Sequence, residues 1–290
     1  MRPFDYYAPR TIDEAVALLH QTRDARPIAG GTDIVVQLKE GRTKFPYPQM
    51  MVSLDRIGEL KGIDFSEKDG LRIGAATTMA DIAASPVVRE RYQALAEGAG
   101  VVGSWQTMNM GTIGGNICNA APSADTAPPL LVFEAQTVIV GPDGRRTMPI
   151  GDFFRGPGLT ALGSGELLAE VRLPVPGAGT GSAYQRHTPR KQMDIAVIGV
   201  GVGLTMSGGL ITRARVSLGA VAPTPIRSPA AEAALEGQPP SQEVFARAAE
   251  AAAAECSPIA DVRGSAEFRR HLVKVMTARI LARAAERGRG

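Results

Sequence analysis

Two glycine pairs, the first set just before a run that reads as a helix, constrain this chain more than any other feature. The first lies in "IAGGTD", residues 28–33, and the second in "GTIGGNICNAAPSAD", residues 111–125. A glycine pair at a helix entrance lets the backbone approach a ligand closely and leaves N–H groups free to meet an anion. In the first segment Thr32 adds a hydroxyl donor and Asp33 can cap the helix. Taken alone, that segment reads first as a tight turn with a cap, because Gly-Gly-Thr-Asp is good turn chemistry. In the second, Gly114 and Gly115 free the backbone, while Thr112 and Asn116 set polar groups beside it. Asp125 can accept hydrogen bonds from sugar or polyol hydroxyls. Two such loops in adjacent units let a long dinucleotide bridge them. Neither loop contains the Gly-x-Gly-x-x-Gly of a Rossmann fold, nor the Gly-Lys-Ser/Thr ending of a P-loop.

The rest of the chain divides around these loops. "TIDEAVALLHQT" opens with Thr11 and Glu14 in capping-box spacing, with Ala15, Leu18 and Leu19 on one face of the helix. A short strand at 27–29, the first glycine pair and a helix ending at Gly41 follow. Pro46 and Pro48 bracket a linker, and "MVSL", 51–54, reads as a strand opening a second unit. That unit holds a strand in "LRIGAA", a helix capped by Thr78 with Asp81, and a further helix across "VVRERYQALAEGAG". The second glycine loop, a helix around "TAPPLLVF", a hairpin turning at 142–144 and a strand "LLAEVRLP" complete it. Pro and Gly crowd "PVPGAGTGS", which sets a boundary near residue 177. Beyond it, "AVIGVGVGLTM" and "LITRARVSLGAVA" flank Ser207, Gly208 and Gly209 as a long hairpin. The final helix, from Ser265, sets Phe268, Leu272, Val275, Met276 and Ile280 on one face, with Arg269, Arg270, Lys274 and Arg283 largely off it. This order predicts an α+β protein with units at 1–55, 56–176 and 177–290.

Composition narrows the function classes. A chain of 290 residues, 44% apolar and 21% charged, is of ordinary globular make-up and long enough for two or three cores. The first twenty residues carry Asp5, Arg10, Asp13 and Glu14 without an apolar run, so no secretory signal is visible. No stretch of eighteen apolar residues suggests a membrane span. Cys118 and Cys256 cannot build a disulfide framework or a cysteine-only iron–sulfur site, which fits a reducing cytoplasm. The net charge of +3 is mild, and the basic residues from Arg269 to Arg289 read as a solvated helix face and not as a nucleic-acid patch.

The pair "AGGTD" and "TIGGNICNAAPSAD", with "TPRKQMDIAVIGVGVG" further on, resembles the FAD-binding medium subunit of the molybdenum hydroxylases, the xanthine dehydrogenase and carbon monoxide dehydrogenase family. The resemblance covers essentially the whole chain. It implies a two-part FAD-binding region of the vanillyl-alcohol-oxidase (PCMH) type, followed by a C-terminal antiparallel sheet with helices. It also implies that both glycine loops hold the FAD pyrophosphate. The matching positions are Ala29, Gly30, Gly31, Thr32, Asp33 and Ile34, then Thr112, Ile113, Gly114, Gly115 and Asn116. Asp125 matches a cofactor-contacting aspartate, and Leu168 a residue packed near the flavin. Where many relatives carry a lysine, this chain has Arg186, which keeps the charge in a different shape.

The resemblance further implies an oxidoreductase subunit that works without catalytic acid–base residues of its own. Substrate is hydroxylated at a molybdenum cofactor on a large partner subunit. Electrons then cross two [2Fe-2S] clusters on a small partner to the FAD held here, and leave to NAD, oxygen or a quinone. A dimer of heterotrimers in the cytoplasm is the implied assembly. Some relatives carry an iron–sulfur loop in this subunit, which two cysteines cannot supply. Two other readings stand beside this one: a non-catalytic nucleotide-binding assembly subunit, and a stand-alone FAD-linked oxidase.

Other residues have plainer readings. Cys118 reads as a small buried residue, since no second thiol or basic partner neighbours it. His20, His187 and His271 are isolated and make no metal site. Trp105 can pack under an adenine or in the core, with the core favoured. Tyr6 and Tyr7 read as ordinary packing, and Arg190 with Lys191 as an exposed charge pair or a patch facing a partner or cofactor.

Overall fold

A computed structural model describes residues 1–43 and 45–289. The first unit is a three-stranded parallel sheet built from β1 (Asp5–Tyr7), β2 (Ala25–Ile28) and β3 (Met50–Ser53), in the order β1-β3-β2. Helix α1 (Ile12–Gln21) starts where the capping pattern places it: the Thr11 hydroxyl accepts from the Glu14 N–H at 3.2 Å. Helix α2 (Ile34–Glu40) crosses from β2 to β3 and ends on Gly41 in the left-handed region, φ 66°. The run at 51–54 does not open a second unit. It lies between β1 and β2 and pairs parallel with both, and all four residues of β3 are buried, as suits a strand covered on both faces. The strand expected at 27–29 begins earlier, at Ala25.

The second unit carries the larger sheet. Strands β4 (Ile63–Ser66), β5 (Gly70–Gly74), β6 (Gln136–Gly141) and β7 (Gly144–Pro149) precede a small ribbon of β8 (Phe154–Gly156) and β9 (Leu159–Thr160), and β10 (Leu167–Leu173) then inserts between β5 and β6. Between β5 and β6 run short helices: α3 (Met79–Ala84), α4 (Pro86–Arg91), α5 (Gln93–Ala99), α6 (Trp105–Met110), α7 (Ile113–Cys118) and α8 (Ala127–Val132). The Thr78 hydroxyl caps α3 through the Asp81 N–H and donates to the Asp81 carboxylate. The single helix expected over 87–100 is two, broken at Tyr92, which leaves helical geometry with ψ 48°. That break buries the Tyr92 ring edge-to-face on Phe133, centroids 5.0 Å apart, and sends its hydroxyl to the Pro174 carbonyl. Helix α1 packs its buried face on Val140, Leu167 and Ala169 of this sheet, so the first two units share a core.

The C-terminal unit is an antiparallel sheet of β11 (Thr180–His187), β12 (Ile198–Ser207), β13 (Leu210–Gly219) and β14 (Ile226–Arg227), in that order. Gly208 and Gly209 form the two-residue turn with φ 59° and 79°, the positive values such a hairpin needs. The run "GVGVG" divides its residues between two faces. Val200 and Val202 enter the core under the C-terminal helices, while Gly201 and Gly203 leave room for Val132 of α8 on the other side. A Cβ on Gly203 would stand 2.7 Å from Val132 Cγ1. Helix α9 (Ile150–Phe153) belongs to the second unit, α10 (Pro229–Leu235) and α12 (Ala266–Arg287) pack on the last sheet, and α11 (Gln242–Ala254) packs against both helices.

The basic face of α12 is not simply solvated. Arg269 is buried and donates to Asp261 at 2.7 Å, and Arg283 and Arg287 reach across to Glu97 of α5 at 3.0 and 2.7 Å. Helical spacing alone marks these residues as off the apolar face, but it cannot show that a neighbouring unit covers them. No helix among the described residues is long and apolar enough to cross a membrane.

Candidate functional site

A cavity of about 780 Å³ opens where the three units meet. The first glycine loop forms one wall. None of the backbone N–H groups from Gly30 to Ile34 donates to another group among the described residues, and all five residues line the cavity, as does Ala29. Gly30, Gly31, Thr32 and Ile34 are half-buried and Asp33 is exposed, so five backbone donors stand available to an acceptor-rich ligand at this wall. The second loop faces it and is arranged differently. Its N–H groups are used internally: Ile113 to the Thr77 carbonyl, Gly114 to that of Ala75, Gly115 to the Thr112 hydroxyl and Asn116 to the Thr112 carbonyl. Thr112 therefore caps α7, and Asn116 accepts from the Thr126 hydroxyl at 2.6 Å while its amide NH2 stays free to donate.

The glycines divide by task. A Cβ on Gly30 would fall 1.6 Å from the Met110 carbonyl oxygen, so this glycine lets the two loops touch. A Cβ on Gly114 would meet the Ala75 carbonyl oxygen at 2.6 Å, which makes Gly114 a packing glycine as well. Gly31 has φ 72°, a left-handed position that carries the chain from strand to helix. Gly115 is exposed to the cavity, and only the Thr112 hydroxyl, 3.1 Å away, would touch a side chain there. Gln37 of α2 donates to Asn119 after α7 at 3.4 Å, a second link between the loops. Asp33 does not cap α2 with its side chain; burial instead holds its carboxyl above the usual range.

Opposite the glycine loops stands a buried charged cluster. Asp125 is 6% exposed, and its two oxygens are taken from strand β11: Tyr184 donates its hydroxyl to Oδ1 at 2.7 Å, and Arg186 Nη1 donates to Oδ2 at 2.6 Å. Burial pushes the Asp125 carboxyl up to about 6 against the opposing pull of Arg186 and Tyr184. Burial, and then Asp125 itself, keeps the Tyr184 hydroxyl well above its ordinary range. Gly199 belongs to this cluster, because a Cβ there would fall 2.6 Å from the Tyr184 hydroxyl. The Arg186 side chain is 6% exposed, its Nη2 has no partner among the described residues, and the residue lines the cavity. The aspartate loop is held to the C-terminal sheet by the Ala220 N–H on the Pro122 carbonyl at 2.7 Å.

Leu168 also lines the cavity, next to Leu167. Their side chains keep the strand alternation: Leu168 packs with the core of the second unit and Leu167 with the core shared with α1, and the cavity reaches both. Of the residues expected at the site, Ile113 is not there: its side chain is fully buried in the core of the second unit. Trp105 packs neither in the core nor in the cavity. It is the first residue of α6, 72% exposed. Tyr6 and Tyr7 are exposed too, at 60% and 48%. Cys118 lines the cavity, where burial pushes its thiol up to about 12. Arg190 reaches the cavity wall and bonds Asp194, while Lys191 stands exposed.

Sequence reasoning missed Tyr184, Gly199, and the pair Arg26 and Phe45, whose guanidinium lies 4.6 Å over the ring at the cavity wall. Strand alternation was the available signal for Tyr184, since Ser182, Tyr184 and Arg186 share one face of β11. Among the described residues no group of three or more His, Cys, Asp or Glu gathers as a metal site. The donor set fits FAD: unpaired N–H groups for a pyrophosphate, a glycine pair giving it room, apolar Leu167 and Leu168, and a buried guanidinium with a free amino group.

Comparison with known proteins agrees with this chemistry. Residues 2–176 match the model of the FAD binding domain in molybdopterin dehydrogenase, and residues 183–284 that of the CO dehydrogenase flavoprotein C-terminal domain. The chain is 38% identical over 279 residues to the carbon monoxide dehydrogenase medium chain of Hydrogenophaga pseudoflava, covering 96% of each. It is 34% identical over 280 residues to a putative xanthine dehydrogenase FAD-binding subunit of Escherichia coli, covering 96% of this chain and 95% of that one. Its fold superposes on a carbon monoxide dehydrogenase structure from H. pseudoflava with TM-score 0.93 at 39% identity, covering 99% of both chains. Quinoline 2-oxidoreductase from Pseudomonas putida gives TM-score 0.91 at 30% identity, covering 98% of both.

Proposed function

The chain belongs to the family of FAD-binding medium subunits of the molybdenum hydroxylases, and from that premise we propose how it serves such a complex. It is the flavoprotein subunit of an oxidoreductase whose molybdenum cofactor and iron–sulfur clusters reside on large and small partner subunits. Bound FAD supplies redox chemistry that accepts electrons singly and releases them in pairs or one at a time. This chain's residues bind, orient and shield. In our reading the free N–H groups of Gly30, Gly31, Thr32, Asp33 and Ile34 hold the pyrophosphate, with Gly115 leaving it room and Asn116 adding a donor. Leu168 packs on the ring system, and Arg186, fixed by Asp125, directs its free amino group at a cofactor oxygen or nitrogen. Ala29, Thr112 and Gly114 shape the loops behind these contacts, and Ile113 contributes only through packing.

We assign residues 1–55 and 56–176 to the two halves of the cofactor region and 177–290 to the C-terminal domain. NAD, oxygen or a quinone takes the electrons, and a dimer of heterotrimers in the cytoplasm is the assembly we expect. The observation that carries this reading is the run of five unpaired N–H groups on a cavity of dinucleotide size. Purifying the tagged chain from its native host tests it: a complex containing FAD, molybdenum and iron is expected. A chain isolated alone with FAD that reacts with oxygen would point to the stand-alone oxidase instead. A complex without flavin would point to the assembly subunit.

A further inference from the structure

Strand β11 is the edge of the C-terminal sheet, and it delivers Arg186 to the cavity wall and the Tyr184 hydroxyl to Asp125, which lines that wall as well. An edge strand presents backbone groups with no strand to pair them. Here α5 and α12 take the place of that strand. The Ala94 N–H donates to the Ser182 hydroxyl at 3.2 Å, Arg287 Nη1 to the Ser182 carbonyl at 2.8 Å and Arg283 Nη2 to the Tyr184 carbonyl at 2.5 Å. The Tyr184 N–H donates to Glu97 Oε2 at 2.7 Å. The same carboxylate receives Arg283 at 3.0 Å on Oε2 and Arg287 at 2.7 Å on Oε1. Three donors from the C-terminal domain therefore converge on one side chain of the second unit.

We propose that Glu97, which does not line the cavity, is a positioning residue for the cofactor site: it fixes the β11 backbone so that Tyr184 and Arg186 together grip Asp125. The inference rests on the reading of the cavity as the FAD site. The geometry gives little slack. Both Asp125 contacts come from β11, at 2.7 and 2.6 Å, and Arg186 stands only two residues from the N–H that Glu97 holds. A strand displacement of about 0.5 Å already exceeds what a preorganised site tolerates. It would turn the free amino group of Arg186 away from its target.

The test uses the full-length chain stripped of FAD and titrated back with it. Glu97→Gln keeps the side-chain volume and an acceptor for the Tyr184 N–H but leaves Arg283 and Arg287 without a counter-charge. It is expected to raise the FAD dissociation constant about fivefold, and Glu97→Ala more than about tenfold. At saturating FAD, the visible bands and the reduction potential of the bound flavin are expected to differ from wild type in both variants. A merely structural residue would lower the melting temperature and leave those bands unchanged. Glu97→Gln with a dissociation constant within about twofold of wild type and superimposable bands overturns the inference, whatever Glu97→Ala does. If the wild-type chain takes up no FAD, the reading of the cavity falls with it; wild-type binding alongside indifferent variants removes this inference alone.

Discussion

Replacing Gly30 by alanine separates the packing role of a glycine from its ligand role. The added Cβ would lie 1.6 Å from the Met110 carbonyl oxygen, about 1.8 Å short of the 3.4 Å at which ordinary contact begins. The obstacle is backbone, and the adjoining Gly111 N–H is committed to the Thr107 carbonyl at 2.6 Å, so Met110 cannot simply swing aside. The two loops must part instead. Hydrogen bonds at roughly 2.9 Å do not survive a displacement of that size. If two N–H contacts to the pyrophosphate are lost, each worth about 1.5–3 kcal/mol, affinity falls by about 10²- to 10⁴-fold. Overpacking itself costs about 1–3 kcal/mol, so the FAD-free variant should melt several degrees lower. FAD titration by fluorescence and a thermal melt of the FAD-free protein read the two effects. Wild-type affinity in Gly30→Ala would refute the argument that contact between the loops sets the cradle.

Gly115→Val is the complement: a Cβ there meets only the Thr112 hydroxyl within the protein, so FAD retention is expected to fall about 100-fold while the FAD-free melting temperature moves by no more than about 2 °C. A parallel loss of folding would show that Gly115 serves packing, as Gly114 does. The Asp125 carboxyl, pushed up to about 6 by burial from 3.8, binds its proton more tightly folded than unfolded. Its contribution to stability is therefore present at low pH and lost as pH rises through that window. Relative to Asp125→Asn, which does not titrate, the FAD-free wild type should gain about 2–5 °C in melting temperature as pH falls from about 7 to 5. Equal pH profiles would place the Asp125 titration elsewhere. Burial pushes the Cys118 thiol up to about 12, so alkylation near pH 8 is expected to be slow in the folded chain and slower with FAD, with rapid labelling after denaturation. Labelling indifferent to FAD would remove Cys118 from the cofactor wall.

Much of this architecture is legible in the sequence because its signals are local. The capping at Thr11 and Thr78, the turn at Gly208-Gly209 and the alternation in "GVGVG" depend on neighbours within a few residues. The glycine loops were legible as loops, but which glycine served which purpose was not. Gly30 is glycine because of Met110, eighty residues away, and Gly114 because of Ala75. Asp125 read as a free acceptor, since its two donors lie on a strand sixty residues later. The arginines of α12 read as solvated because their partner, Glu97, belongs to another unit. Trp105 read as buried from its residue type, and its place at the first position of a surface helix decides otherwise.

We propose that the unpaired N–H groups of Gly30 to Ile34 hold the pyrophosphate of FAD. Parallel titration of the FAD-free chain with FAD and with riboflavin, which carries the same ring system and no phosphate, tests it most directly. One FAD per chain is expected, with riboflavin at least about 100-fold weaker. Equal affinity for the two, or no uptake of FAD, would contradict the account.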